Sequence, residues 1–125
     1  VRARAFLSTK MAKAISYINI IELTLALWFV STTIWFPVVE IHSAFGFLLI
    51  VMPLEMLLWA KTRSKGSRDI LWGILLLIGA VMAHILKISF GVWFCYFDIA
   101  HLFMCAAMWK IMLGAEAAGK QMLAA

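Results

Sequence analysis

Four apolar stretches, each about as long as a membrane is thick, dominate this sequence of 125 residues. The hydrocarbon layer of a bilayer takes roughly 20 residues of helix to cross. Hydrophobic residues make up 66% of the chain and charged residues 14%, whereas a soluble domain carries about 25% charged residues. A soluble globule of this size has too much surface to hide so many apolar side chains. We therefore expect an integral membrane protein whose solvent is lipid.

Proline and a basic linker mark the boundaries of the predicted helices. Pro37 ends the first apolar run, and the segment KTRSKGSRD at 61–69 separates the second run from the third. Asp69 is well placed in that linker to cap the third helix. The connection between the first and second runs is short, and so is the connection between the third and fourth. These short connections predict an all-α, four-transmembrane-helix bundle made of two helical hairpins. The predicted spans are 18–37, 42–60, 70–88 and 92–113, with a basic N-terminal segment at 1–17 and a small-residue tail at 114–125.

The positions of the 11 Lys and Arg residues predict the orientation. Most of them precede the first run, lie in the central linker or follow the fourth run, whereas Lys87 alone lies at the opposite end. By the positive-inside rule, both termini and the linker face the cytoplasm or an equivalent compartment. We expect a bacterial inner membrane or an organelle inner membrane. A basic groove with aromatic platforms is absent from the sequence, so nucleic acid is not an expected partner.

The N-terminal segment carries four basic residues and no acid. This pattern is typical of an organelle-targeting remnant and equally of a helix that lies on a membrane surface. Both interpretations stay open at this point.

Ionisable side chains within the apolar runs are the candidate functional residues, because each costs at least ~2.5 kcal/mol to place at membrane depth. All three histidines, His42, His84 and His101, are predicted in the outer half of the bundle. Asp98 shares a helix face with His101 and is expected about 10 Å below the outer end. His42 and His84 suit a bis-imidazole haem b, and all four residues suit a Cu, Zn or Fe site. Possible additional soft ligands are Met104, Cys105 and Met108.

This histidine and aspartate cluster leads to the first functional hypothesis. The chain is then a small integral membrane subunit that binds haem or a transition metal, in electron transfer or metal handling. The alternative without a cofactor is a structural accessory subunit of a larger membrane complex, or a homo-oligomer. In that case the histidines form hydrogen bonds within the core, and the methionines fill packing gaps. A surface for close helix approach is expected on the third helix at Gly73, Gly79, Ala80 and Ala83.

The carboxylates within the apolar runs suggest another alternative function. Glu22 is expected about four residues into the first span, and Glu55 follows Pro53 by two residues in the second. Both are predicted toward the inner side. A proton- or ion-coupled small transporter or channel needs a carboxylate that changes protonation within the bundle, and Glu22, Glu55 and Asp98 are the candidates.

Two segments carry family resemblances. The four spans, the chain length and Glu22 in NIIELTLALW resemble small multidrug-resistance transporters in layout, although the segment does not reproduce the motif expected around that glutamate. YFDIAHLFM, with Asp98 and His101, resembles the D-x-x-H pattern in the last helix of seven-span, metal-dependent membrane hydrolases of the ceramidase and adiponectin-receptor group. The second resemblance implies a metal-dependent membrane hydrolase, the weaker alternative. Walker, Rossmann, HExxH and GxSxG motifs are absent, so stand-alone catalysis is less expected.

Overall fold

The computed structural model describes residues 8–33 and 41–123. Within these residues the chain forms four long helices: α1, Thr9–Thr33; α2, Ile41–Thr62; α3, Lys65–Ile85; and α4, Tyr96–Leu123. All four are long and apolar enough to cross a membrane. The prediction of an all-helical protein is confirmed, and the length and composition of its helices fit a lipid bilayer.

Helix α1 begins well before the predicted first span because a serine caps it. Ser8 Oγ accepts the N–H of Met11 at 3.3 Å. Farther along, the Thr24 hydroxyl donates to the carbonyl of Ile20 at 2.7 Å. Four other hydroxyls donate one turn back in the same way: those of Ser16, Ser31, Thr32 and Thr33. These bonds satisfy the hydroxyls within the helix itself. The large apolar side chains of α1 are left exposed, as lipid contact requires.

Helix α2 contains a wider, π-helical stretch at Phe45–Val51. The backbone N–H of Met52 reaches the carbonyl of Phe47, a bond across five residues. Pro53 follows immediately, and it lacks the N–H that would bond the carbonyl four residues back. Wide turns of this kind are rare and occur frequently at functional sites.

The chain divides into two compact units, Val1–Leu54 and Glu55–Ala125. The core of the second unit is the interface between α3 and α4, which run antiparallel. Gly66 at the start of α3 lies against Gly114 late in α4, and Gly79 lies against Phe103 early in α4. A Cβ added to Gly73 would lie 2.5 Å from Ile111 Cγ1. The small-residue surface predicted on α3 is therefore filled by α4 of the same chain.

The segment predicted as a linker at 61–69 is largely helical. Only Arg63 and Ser64 separate α2 from α3, and Arg63 turns the chain with a φ of 51°. Ser64 Oγ accepts the N–H of Ser67 at 3.1 Å, which makes Ser64 the N-cap. The prediction that Asp69 caps this helix is wrong, because Asp69 lies a full turn inside it.

The connection between α3 and α4 is held by backbone bonds. Lys87 has a φ of 50°, its N–H donates to the carbonyl of His84, and the N–H of Ile88 donates to the carbonyl of Ala83 at 3.1 Å. This is a Schellman-type helix end. Helix α4 then starts at Tyr96, four residues after the predicted start of the fourth span, and residues 92 and 93 are almost fully exposed in the loop.

Candidate functional site

A carboxylate and an imidazole meet in the first unit. His42 Nδ1 contacts Glu22 Oε1. Glu22 lies near the middle of α1 and His42 lies in the first turn of α2. Their side chains are 26% and 30% exposed, respectively. Two ionisable groups that the sequence analysis assigned to separate hypotheses thus form one site.

The predicted separation in depth between these two residues is wrong. We expected Glu22 toward the inner side and His42 toward the outer side, yet their side chains are in contact. The reason is the length of α1. With Ser8 as its cap, the helix starts at Thr9, so Glu22 falls near its centre rather than near its beginning.

The contact holds a proton in either of two ways. The Nδ1–H of His42 donates to an ionised carboxylate, or a protonated carboxyl group of Glu22 donates to Nδ1. The second carboxylate oxygen, Glu22 Oε2, is buried and has no hydrogen-bond partner among the residues that the structure describes. That oxygen is a place where an added proton or a water molecule would gain a hydrogen bond.

A pocket of about 220 Å³ adjoins the pair. Its polar lining consists of Asn19, His42 and Ser43, and its apolar lining comes from the π-helical stretch of α2 and includes Gly46. Among the described residues other than its chain neighbours, no side-chain atom lies within 4 Å of where a Cβ on Gly46 would be. The volume is large enough for several water molecules beside the imidazole.

The other two histidines lie in the second unit. His84, at the end of α3, packs edge-on against the rings of Tyr96 and Phe97, with ring centroids 5.4 and 5.2 Å away. His101 Nδ1 lies 2.6 Å from the carbonyl oxygen of Phe97, so this nitrogen carries a proton and donates. The remaining ring nitrogen, Nε2, keeps its lone pair in the neutral imidazole.

Asp98 lies nearer the start of its helix than the sequence predicted. It is exposed in the first turn of α4, and its carboxylate accepts the backbone N–H of Cys95 at 2.8 Å. This bond caps the helix start, as the acid of a capping box does. The predicted depth fails because the helix begins at Tyr96, only two residues earlier.

The remaining candidates are spread over the second unit. Met104, Cys105 and Met108 are exposed on α4. Glu55 of α2 is 4% exposed. Within residues 8–33 and 41–123, no group of three or more His, Cys, Asp or Glu side chains is arranged to hold a metal ion. A haem or metal site stays a prediction.

An ion pair between α3 and α4, in which only the aspartate is buried, was not predicted from the sequence. Lys110 Nζ lies 3.5 Å from Asp69 Oδ1, and the aspartate side chain is 7% exposed. Ser64 is the feature of the sequence that would have predicted this ion pair. A serine cap at that position makes Asp69 helical and turns it toward α4.

The fold and this site define a small all-helical protein suited to a lipid bilayer, with a carboxylate and imidazole pair joining its first two helices. The chain belongs to a family of unknown function (DUF6962), which it matches over residues 1–120. Neither a curated protein nor a solved structure matches the chain.

Proposed function

We propose that the protein is a small membrane transporter or channel that moves protons, or couples transport to them, through Glu22 and His42. The contact between these two side chains supports this function more directly than any other observation. An ionisable residue within a membrane helix normally marks an ion or proton pathway. Here two of them, from α1 and α2, share one proton position.

The chemistry of the pair suits reversible protonation. Histidine is the side chain that changes charge near neutral pH, and it serves as a proton shuttle for that reason. Glu22 provides a second site beside it, with one oxygen bonded to the imidazole and the other buried. A proton that arrives at the pair passes between the two groups by a change of hydrogen-bond donor.

The adjacent pocket supplies a path to the pair. Asn19, Ser43 and His42 give it a polar side, and water bound there would connect the imidazole to one aqueous phase. Residues of the widened stretch Phe45–Val51 also line it. We infer that this stretch of α2 opens the entrance for protons.

Proton flux into liposomes tests the proposal. The full chain is reconstituted, a potassium gradient with valinomycin drives protons inward, and an internal pH dye reports their entry. We expect Glu22→Gln and His42→Gln to reduce the flux to that of protein-free liposomes. The matched controls are Glu116→Gln and His101→Gln, which replace the same residue types at exposed positions of α4. Equal flux from all variants would contradict the proposal.

We further propose a two-hairpin topology with both termini on the cytoplasmic side of a bacterial or organelle inner membrane. The antiparallel contacts of α3 and α4 and the exposed bases at Lys61, Arg63, Lys65 and Arg68 support it. Reporter proteins fused after residue 125 and inserted after Lys87 test the topology. Activity of both fusions on the same side would contradict it.

A haem or metal site is a second proposal, and one observation favours it. Histidines that bind metals usually donate their other ring N–H to a carboxylate or a backbone carbonyl. His101 does so toward Phe97, and His42 does so when its Nδ1–H donates to Glu22. Nε2 of each ring is then the ligand atom. Metal analysis and absorption spectra of oxidised and reduced protein test this proposal. Metal or haem below a stoichiometric amount would contradict it.

An accessory role in a larger assembly, or a homo-oligomer, is the third proposal. It rests on the extensive exposed apolar surface of α1, where Trp28 is 68% exposed. Chemical crosslinking in native membranes tests it, and a chain that stays monomeric there would contradict it.

A further inference from the structure

We propose that the junction between α2 and α3 binds the headgroup of an anionic phospholipid. The site is formed by the basic cluster, which we define as Lys61, Arg63, Lys65 and Arg68. All four side chains are exposed within one short stretch of the second unit. Clusters of this size next to a membrane helix attract anionic lipid headgroups.

The packing of α3 against α4 buries small and acidic residues of this stretch and leaves its basic residues exposed. Gly66, Ser67 and Asp69 are buried, and Gly66 is so close to α4 that an added Cβ would lie 2.9 Å from the carbonyl oxygen of Gly114. The small and acidic residues therefore face α4. The bases between them are turned outward as a consequence.

Acidic residues at this end of the second unit are either buried or paired. Asp69 is 5% exposed and lies beside Lys110. Glu55 is 4% exposed. Glu116 of α4 is exposed, and its Oε1 lies 2.7 Å from Lys120 Nζ. The outer surface of the junction consequently has an excess of positive charge.

Aromatic and apolar side chains favour a lipid over a free phosphate ion. The guanidinium of Arg63 lies 4.6 Å from the centre of the Trp59 ring, and tryptophan is enriched at the headgroup level of membranes. Leu57, one turn before Lys61, is 56% exposed, and Trp72, one turn after Arg68, is 52% exposed. A ligand with a phosphate and acyl chains matches both the bases and these apolar neighbours.

Electron paramagnetic resonance of spin-labelled lipids tests the proposal on the full chain in bilayers. The relative association constants of phosphatidylglycerol and phosphatidylcholine are compared for the unmodified protein and for the double variant Arg63→Gln/Arg68→Gln. We expect a preference for phosphatidylglycerol that falls about 5-fold for each charge removed, so about 25-fold in the double variant. The control is Lys87→Gln, an exposed lysine at the other end of α3, and it should retain the preference.

Two further experiments use only the unmodified protein, so they do not depend on the folding of a variant. Raising the salt concentration should weaken the preference. Inorganic phosphate added at constant ionic strength should leave it unchanged, and displacement of the lipid would show a phosphate site instead. The proposal is overturned if the two lipids associate equally with the unmodified protein, or if Lys87→Gln lowers the preference as much as the double variant does.

Discussion

Glu22 of α1 and His42 of α2 are 20 residues apart in the sequence and in direct contact in the structure. Each lies in a stretch otherwise composed almost entirely of apolar residues. Because a lone ionisable group at membrane depth is costly, the contact lowers the cost of both. It also joins the two groups through one hydrogen bond, as the proposed proton transfer requires.

Gly114→Ala should destabilise the protein. The added Cβ would lie 2.6 Å from Ile70 Cγ1 and 2.7 Å from the carbonyl oxygen of Gly66, and neither backbone can yield without separating α3 from α4. We expect the free energy of unfolding to fall by about 1–3 kcal/mol. Unfolding in mixed detergent micelles, followed by loss of helical circular dichroism, measures this change.

Gly119→Ala is the matched control for that substitution. It lies on the same helix, and among the described residues its added Cβ would meet no atom within 4 Å apart from its chain neighbours and its own helix backbone. Alanine favours helix over glycine by up to about 1 kcal/mol, so stability should stay the same or rise. Equal losses from both variants would show that the close contact between Gly66 and Gly114 does not limit the packing.

Asp69→Asn should weaken the interface between α3 and α4. The variant keeps the shape of the side chain and removes the carboxylate that faces Lys110 at 3.5 Å. We expect the free energy of unfolding to fall by about 1 kcal/mol, because the charge attraction to the half-exposed Lys110 is lost while an amide oxygen still accepts from it. Glu116→Gln, which removes an exposed carboxylate beside Lys120, should leave stability almost unchanged. A larger effect of Glu116→Gln would refute this account.

Ser64→Ala should shorten or fray the start of α3. Its hydroxyl accepts the N–H of Ser67 at 3.1 Å, and loss of such a cap costs about 1 kcal/mol. Hydrogen exchange of the backbone amides at 65–68 should become faster. Ser31→Ala is the control, because the Ser31 hydroxyl only donates to a carbonyl within its own helix. Unchanged exchange at 65–68 in Ser64→Ala would contradict the assigned cap.

The all-helical fold was predictable because its signal is spread over the whole chain. Four long apolar runs require helices in lipid whatever the details of their ends. The small residues of α3 also indicated close packing, and α4 lies against them. Composition and residue spacing are sufficient to predict the helices and their close packing.

The site was harder to predict because it depends on where each helix starts. Ser8, Ser64 and Asp98 each form a capping bond that moves a helix boundary by several residues. Those shifts placed Glu22 at the level of His42, buried Asp69 and exposed Asp98. The depth of a residue was counted from the predicted start of its apolar run. Any error in that start is therefore an equal error in the depth.

Infrared difference spectroscopy of the reconstituted protein, recorded as the pH is lowered, tests the role of Glu22 and His42 most directly. A protonated carboxyl group gives its own C=O stretching band, and subtracting the spectrum of Glu22→Gln isolates the band of Glu22. We predict that this band appears on acidification and shifts in frequency in His42→Gln, because the imidazole is its hydrogen-bond partner. A Glu22 band that does not change with pH, or that is identical with and without His42, would contradict a shared proton at this site.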